Sequence, residues 1–161
     1  MEEYADLQMD MRLINLHEVA SQTRMYRWEF LRYDGSDVDV ELSTRLNRDP
    51  KRSTIRLRLG AHYTTYRSQI RRRLLDYVID AEYEIHDVRG IIEASPTELV
   101  ITPGLMRLML SISIGALRGM IALRTNHTFL KHFPLPVYDL DELISTIDAA
   151  GYELAYNPEA Y

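Results

Sequence analysis

The sequence predicts an α+β fold, a four-stranded antiparallel sheet followed by a long helix and a short C-terminal helix. Apolar and polar residues alternate through most of the first two thirds of the chain, a pattern typical of half-buried strands. After residue 95 the apolar residues recur at helical spacing instead. The 161 residues suit one domain over 1–161, with a core at about 11–148 and a weakly ordered tail at 151–161.

Alternating segments mark the predicted strands at 25–33, 38–46, 54–66 and 75–85, with 11–19 as a weaker candidate. Short turns separate consecutive segments, so neighbouring strands are expected to pair antiparallel. Residues 67–73 contain four arginines and are expected to form a basic turn. In the last segment, LDYVIDAEYEI, every second residue from Leu75 to Ile85 is apolar or aromatic and predicts the core face.

The other face of that segment carries four carboxylates and no basic residue: Asp76, Asp80, Glu82 and Glu84. A solvated face is the ordinary explanation for such a row, and a docking surface for a basic partner is the alternative. Carboxylates two residues apart on a flat strand do not converge, so no metal site is expected there.

A long helix is predicted over 103–124, with Thr102 as its N-cap, Pro103 at the first helical position and Asn126 as its end. Its apolar residues cover more than one side, and its small residues allow another helix or sheet to come close. We therefore expect contact with a partner subunit as well as with the chain's own sheet. The residues expected at this oligomer interface are Leu105, Met109, Ile112, Ala116, Gly119 and Met120.

A second helix is predicted over 140–149. Asp139 and Glu142 have the spacing of a capping box at its start, and Gly151 would stop it. Pro134 and Pro136 are expected to hold the preceding connector extended.

Composition excludes several classes of protein. The formal charge of −5 argues against a general nucleic-acid binder, which would be basic. The absence of cysteine removes disulfides, a thiol nucleophile and Cys-based zinc sites. The acidic start MEEYADLQMDMRL does not resemble a signal peptide, and no stretch is expected to be long and apolar enough to span a membrane. A cytoplasmic protein without direct membrane insertion is expected.

No sequence motif indicates catalysis. Nucleotide-binding and serine-hydrolase motifs do not occur, and the five histidines, at 17, 62, 86, 127 and 132, lack the spacing of a helical metal site. We therefore expect no catalytic residues, no metal and no cofactor. The arginines of 67–73 are expected at a hairpin tip balanced by nearby acids, with a phosphate or RNA contact as the alternative.

Three segments taken together resemble the SecB family of protein-export chaperones. They are VIDAEYEI (78–85), TPGLMRLMLSISIGALRGMIALRT (102–125) and FPLPVYDLDELI (133–144). The resemblance lies in the ordered set rather than in any single motif, and it covers roughly residues 11–148.

The resemblance implies a protein that is not an enzyme and that forms a dimer or a homotetramer through its long helices. It also implies that unfolded polypeptides bind, without ATP, in an aromatic groove beneath the helix connector. The residues expected near this groove are Trp28, Phe30, Tyr63, Tyr83, Ile85, Phe129 and Phe133.

In export-type members of that family, the acidic outer sheet face docks the basic, zinc-bearing tail of the translocase motor SecA. Asp80 best matches the family's docking position, Glu82, Glu84 and Asp76 are its neighbours, and Glu18 is a weaker candidate. A chaperone dedicated to one client, such as an antitoxin, remains open within the same family. From another class, a small-ligand or acyl-group enzyme is the remaining alternative.

Overall fold

The computed structural model describes residues 11–24, 38–49, 54–67, 70–86, 91–95 and 98–150. Four strands form an antiparallel sheet: β1 (Met11–Thr23), β2 (Val38–Asp49), β3 (Thr54–Arg67) and β4 (Ile70–Ile85). A separate hairpin follows, made of β5 (Ile91–Ser95) and β6 (Glu98–Ile101). The long helix α1 (Pro103–Thr125), a 3₁₀ turn (Phe129–His132) and the short helix α2 (Leu140–Ala150) complete the described chain. The predicted fold class is confirmed.

The sheet has the strand order β1-β4-β3-β2. Strands β2, β3 and β4 form a meander of neighbours in sequence, as expected, whereas β1 pairs antiparallel with β4. The weak candidate at 11–19 is thus a full strand of 13 residues at the sheet edge. The predicted strand at 25–33 lies outside the described residues.

The expectation that residues 67–73 form a basic turn is wrong, because three of the four arginines lie in strand β4. Arg71, Arg72 and Arg73 belong to β4 and pair with Tyr66, Thr65 and Thr64 of β3. The long stem of an arginine can lie along a strand surface while its charged end finds a partner. Arg71 illustrates this, because its guanidinium lies 5.8 Å from the centre of the Tyr66 ring and 2.6 Å from Glu41.

The core lies between α1 and the inner faces of β3 and β4. The inward residues of both strands are buried as the alternation predicts, namely Ile55, Leu57, Leu59, Ala61, Tyr63, Leu75, Tyr77, Ile79, Ala81, Tyr83 and Ile85. They pack with the buried stripe of α1, which includes Leu105, Met106, Met109, Leu110, Leu117 and Ile121. Burial of each large apolar side chain contributes about 1.5–3 kcal/mol, so this layer supplies most of the driving force for folding.

The helix ends agree with the sequence. Thr102 is the N-cap of α1, and its hydroxyl accepts a hydrogen bond from the Leu105 N–H at 3.4 Å. Pro103 starts the helix and Asn126 is its C-cap. At α2, the Asp139 carboxylate accepts hydrogen bonds from the backbone N–H groups of residues 141 and 142. Gly151 lies outside the described residues.

By length and composition, α1 qualifies as a membrane-spanning helix, with a mean hydropathy of 1.5 over 18 residues, 44% of which are buried in this fold. The expectation that no stretch reaches this length and apolarity is therefore wrong. Core helices of soluble proteins have the same composition, so the property is weak evidence for a membrane.

Candidate functional site

The outer face of β4 is not the unpaired acidic surface that its own sequence suggests. Because β4 is flanked by β1 and β3, each of its carboxylates stands beside residues of two neighbouring strands. Arg58 binds Asp80 through two hydrogen bonds of 2.7 and 2.8 Å, and Arg56 lies 3.9 Å from Glu82. Basic partners supplied by neighbouring strands thus neutralise much of the row.

Asp80, the best-matched docking residue, is buried: 3% of its side chain is exposed. Its carboxylate is covered by Arg58, and the His17 imidazole lies 4.0 Å away on the β1 side. Burial of a carboxylate is tolerated when a guanidinium pairs with both oxygens, which makes Asp80 a structural ion-pair residue in this chain.

The other docking candidates are more accessible. Side-chain exposure is 33% for Glu84, which pairs with His86 at 3.0 Å, and 36% for Glu18, which lies 3.8 Å from Arg124. Glu18 does not lie on the outer face, because it pairs with the buried Ile79 of β4 and lies beside Arg124 of α1. Burial, together with a hydrogen bond to Glu18, raises the pKa of Tyr77 to about 12, so Glu18 has a structural contact on the inner side of the sheet. SecA docking at any of these residues stays a prediction.

Three side chains on the outer sheet face form a continuous hydrogen-bonded chain. The Ser43 hydroxyl is 2.9 Å from His62 Nε2, and His62 Nδ1 is 2.6 Å from Asp76 Oδ1. With the proton on Nδ1, His62 donates to Asp76 and accepts from Ser43, which is the connectivity of a hydrolytic triad. Gly60 leaves room for it, since a Cβ there would lie 2.5 Å from the Ser43 hydroxyl.

Two features weaken this chain as a catalytic device. The Arg73 guanidinium lies 2.5 Å from Asp76 Oδ1 and 3.1 Å from His62 Nδ1, so it competes with the imidazole for the carboxylate. Strand N–H groups also lie in the plane of the sheet, whereas Ser43 stands out from it, so the strands aim no backbone donor at an oxyanion. The Ser43–His62–Asp76 chain is nevertheless accessible, because Ser43 is exposed.

The predicted groove residues separate into two groups. Tyr63, Tyr83 and Ile85 are buried core residues, so they do not line an open groove in this structure. Phe129 and Phe133 lie in the connector between the helices and are half-buried, with their rings edge to face at 6.3 Å. Trp28 and Phe30 lie outside the described residues. Client binding at these positions stays a prediction.

The two buried tyrosines differ in their hydrogen bonding. Both are 0% exposed and face the same core from adjacent strands. The Tyr83 hydroxyl donates to the Met109 carbonyl at 3.1 Å and lies 2.6 Å from the Ser113 hydroxyl. The Tyr63 hydroxyl has no hydrogen-bond partner among the described residues. An unsatisfied buried polar group costs about 1–3 kcal/mol, so Tyr63 is unexplained as a core residue.

The connector, residues 126–139, brings Tyr138 within electrostatic range of Tyr63 on β3 and Asp39 on β2. Arg118 of α1 holds it by donating hydrogen bonds to the carbonyls of Leu135 and Pro136, at 3.2 and 2.9 Å. Between the two prolines, Leu135 is buried, and beyond them Val137 is 91% exposed. An anchored segment thus presents a large apolar side chain to solvent.

The expected oligomer-interface residues also divide. Leu105 and Met109 are fully buried in the chain's own core, so their expected place in an interface is wrong. The physical reason is the helical phase, which puts both on the stripe that faces the sheet. Ile112 and Gly119 are exposed, and Ala116 and Met120 are half-buried. These four remain available for a predicted interface.

One flank of α1 is apolar and uncovered. At 100° per residue, Ile112 and Leu123 lie on one side of the buried stripe, and Arg107 and Arg118 lie on the other, toward α2 and the connector. Leu123 is 80% exposed and Ile112 38%. Since the connector lies toward β2, the uncovered flank faces the β1 side of the sheet.

The inner face of β1 also exposes apolar side chains. Irregularities in the pairing at residues 14 and 19 keep Leu13 and Leu16 opposite the buried residues Tyr83 and Ala81. Leu13 and Leu16 are nevertheless exposed, at 38% and 37%, as is nearly all of this edge strand. We define the open apolar surface as Leu13 and Leu16 of β1 with Leu108, Ile112 and Leu123 of α1.

Sequence reasoning gave no functional role to Ser43, Arg118 and Tyr138, and it discounted His62 together with the other histidines. One local signal was present: Gly60 interrupts an otherwise regular strand, and glycine within a strand marks a close approach of other groups. The structure describes no cluster of three or more His, Asp or Glu side chains that could hold a metal ion.

No family model matches the chain. No curated protein matches it. Among solved structures, the chain is similar to a Mycobacterium tuberculosis SecB-like chaperone in complex with an antitoxin peptide, with 15% identity and a TM-score of 0.46 over 80% of this chain and 86% of that one. It is also similar to a Streptococcus agalactiae protein of unknown function, with 14% identity and a TM-score of 0.33 over 80% and 92% of the two chains. At these values the similarity adds no argument about function.

Proposed function

We propose that this protein is an ATP-independent chaperone that holds unfolded polypeptides in the cytoplasm as a homo-oligomer. The observation that carries the proposal is the set of large apolar side chains that the described chain leaves exposed on β1, α1 and the connector. Exposed groups of apolar side chains mark sites of contact with other polypeptides. The ordered resemblance of three sequence segments to the SecB family supports the same function.

The uncovered surface has two parts with different expected partners. On α1, the exposed glycines 115 and 119 have open space where a Cβ would stand, so another copy of the helix can approach closely beside Ile112. On the connector, Phe129, Phe133 and Val137 offer adaptable aromatic and aliphatic contacts to an extended chain. We assign self-association to the first part and client binding to the second.

The decisive experiment is light scattering of a chemically denatured model protein diluted into buffer, with and without this protein and without ATP. The mass of the oligomer is measured on the same sample. We expect suppression of aggregation by a dimer or tetramer, because a chaperone that binds the unfolded state removes it from aggregation. Failure to suppress the aggregation of several unrelated clients would contradict general holding. It would favour a chaperone dedicated to one client, such as an antitoxin.

Delivery of clients to SecA is the finer part of the proposal, and the accessible carboxylate Glu84 is its best test. We expect Glu84→Lys to weaken binding of the basic, zinc-loaded SecA tail peptide while client binding is unchanged, since the two use opposite faces of the sheet. Glu142→Lys, with the same change of charge on α2, is the matched control. Equal tail affinity of both variants and the wild type, measured by calorimetry, would remove SecA from the proposal.

The Ser43–His62–Asp76 chain favours acyl-group hydrolysis as a second candidate function. Its donor–acceptor distances of 2.9 and 2.6 Å allow proton transfer from the hydroxyl. The test is hydrolysis of p-nitrophenyl acetate by the wild type and by Ser43→Ala, with Ser145→Ala as a matched surface control. Turnover lost only in Ser43→Ala would establish the enzyme, and equal background rates in all three proteins would reject it.

A further inference from the structure

The hydroxyl of Tyr63 belongs to a group of buried polar atoms beneath the connector. Tyr138, in the connector, also has a buried hydroxyl without a partner in the described chain, and so does Thr65, two residues along β3 from Tyr63. Thr65 pairs with Val38, which packs against the core, so it shares the inner face with Tyr63. Three unpartnered hydroxyls therefore occur in one region of the fold.

Tyr63, Tyr138 and Arg118 are close enough to influence one another. The pKa of Tyr63 is raised to about 12, first by burial and second by Tyr138, while the charge of Arg118 opposes both effects. Burial also raises the pKa of Tyr138, again opposed by Arg118, while Asp39 adds to the rise. Arg118 is itself fixed by its hydrogen bonds to Leu135 and Pro136, so the guanidinium is positioned between α1 and the connector.

The chemistry of this group selects a hydrogen-bond acceptor. A guanidinium can only donate, and phenolic hydroxyls with raised pKa values remain protonated and able to donate at neutral pH. The nearby carboxylate of Asp39 disfavours an anion, which leaves a neutral acceptor. An extended polypeptide presents such acceptors as its main-chain carbonyl oxygens, whatever its sequence.

We propose that Tyr63, Tyr138 and Arg118 form a polar subsite beneath the connector that binds a main-chain carbonyl of an extended client polypeptide. The inference rests on the proposed chaperone function and adds to it a sequence-independent anchor. The connector lacks regular secondary structure between Phe133 and Asp139 and is held at Leu135 and Pro136. Release of those two hydrogen bonds opens the subsite to a chain entering beneath Val137.

The test compares three single tyrosine-to-phenylalanine variants in the full chain. Tyr63→Phe and Tyr138→Phe each remove an unpartnered hydroxyl, and Tyr83→Phe removes one with two partners in the same core. The probe is a reduced and carboxymethylated model protein, which stays unfolded. We measure its affinity by fluorescence anisotropy and the urea midpoint of each variant.

We expect Tyr63→Phe and Tyr138→Phe to weaken probe binding about fivefold, the loss of one neutral hydrogen bond, with an unchanged or higher urea midpoint. Tyr83→Phe should show the reverse, a lower midpoint with unchanged binding. The loss in the first two variants should be the same at about 50 mM and about 500 mM NaCl, because a carbonyl carries no charge.

Different failures have different meanings. No binding of the probe by the wild type would defeat the proposed function itself. Binding by the wild type with equal affinity in Tyr63→Phe and Tyr138→Phe would defeat the subsite alone. A urea midpoint lowered in Tyr63→Phe as much as in Tyr83→Phe would show that the hydroxyl serves the folded state. A binding loss that disappears at high salt would indicate an anionic group of the client and overturn the carbonyl assignment.

Discussion

At the scale of single residues, the outer sheet face shows how position in a sheet changes the meaning of a side chain. Asp80 has the sequence context of an exposed docking residue, yet its two oxygens are held by Arg58 and shielded from solvent. Its value to the protein is therefore structural. A basic partner on this face could reach Glu84, which is 33% exposed, far more readily than it could reach Asp80.

We predict that Asp80→Asn lowers the free energy of unfolding by about 1–3 kcal/mol, because it leaves the partly buried Arg58 guanidinium without its counter-charge. Urea denaturation followed by circular dichroism measures the loss. Glu41→Gln is the matched control, since it breaks the solvent-exposed pair with Arg71 and should have no measurable effect. Similar midpoints for the two variants would argue that the Asp80 pair is no stronger than a surface pair.

The ion pairs of Asp76 predict how the stability of the fold changes at low pH. Burial alone raises the pKa of Asp76, but hydrogen bonds and charges from His62 and Arg73 outweigh burial and lower the pKa below the ordinary value for an aspartate. A carboxyl whose pKa is lower when folded stabilises the fold above pH 4 and loses that contribution as pH falls through its folded pKa. We expect Asp76→Asn to flatten the acid side of the stability profile. An acid limb in Asp76→Asn as steep as in the wild type would assign the effect to other carboxyls.

At the scale of elements, α1 serves two surfaces with one sequence. Its buried stripe packs on β3 and β4, while the flank with Ile112 and Leu123 has no cover in the described chain. Gly115 and Gly119 are unfavourable in a helix by about 0.5–1 kcal/mol each compared with alanine. Because neither has atoms of another described residue within 4 Å of a Cβ position, packing within the described part of the chain does not explain them.

We predict that Gly119→Leu raises the stability of the single chain, through better helix propensity, and lowers the mass of the oligomer, by blocking close approach of a second helix. Size-exclusion chromatography with light scattering reads the mass, and thermal denaturation reads the stability. Ser145→Leu, an exposed position on α2 away from the proposed interface, is the control. A wild-type mass in Gly119→Leu would place the interface elsewhere.

At the scale of the whole molecule, the sequence predicted most of what local patterns determine. Period-two alternation located β2, β3 and β4 with their faces, and cap residues located both helices. The strand order could not be predicted in the same way, because the pairing of β1 with β4 joins residues such as Leu16 and Ala81, far apart in the chain. The ion pairs were missed for the same reason, because Asp80 and Arg58 lie on different strands and meet only when the sheet forms. The strands of the short hairpin, β5 and β6, contain too few residues for an alternation of apolar and polar side chains to be recognised.

If the open apolar surface is buried between subunits, stability becomes a property of the oligomer. We predict that the midpoint of urea unfolding rises with protein concentration over about a hundredfold range, because association stabilises the folded state by mass action. The comparison with Gly119→Leu isolates the contribution of the helix flank. A midpoint independent of concentration in the wild type would mean that the folded monomer tolerates the exposed surface by itself.

The strand order also affects how the protein is made. At typical rates of synthesis of about 5–20 residues per second, roughly 3–13 seconds separate the emergence of Leu16 from that of its partner Ala81. During that interval the first strand has no partner strand in the sheet, while its apolar side chains are already exposed to solvent. Strand β4, the last of the meander, must therefore be synthesised before β1 can pair with it. Of the four strands in the sheet, β1 remains unpaired for the longest time during synthesis.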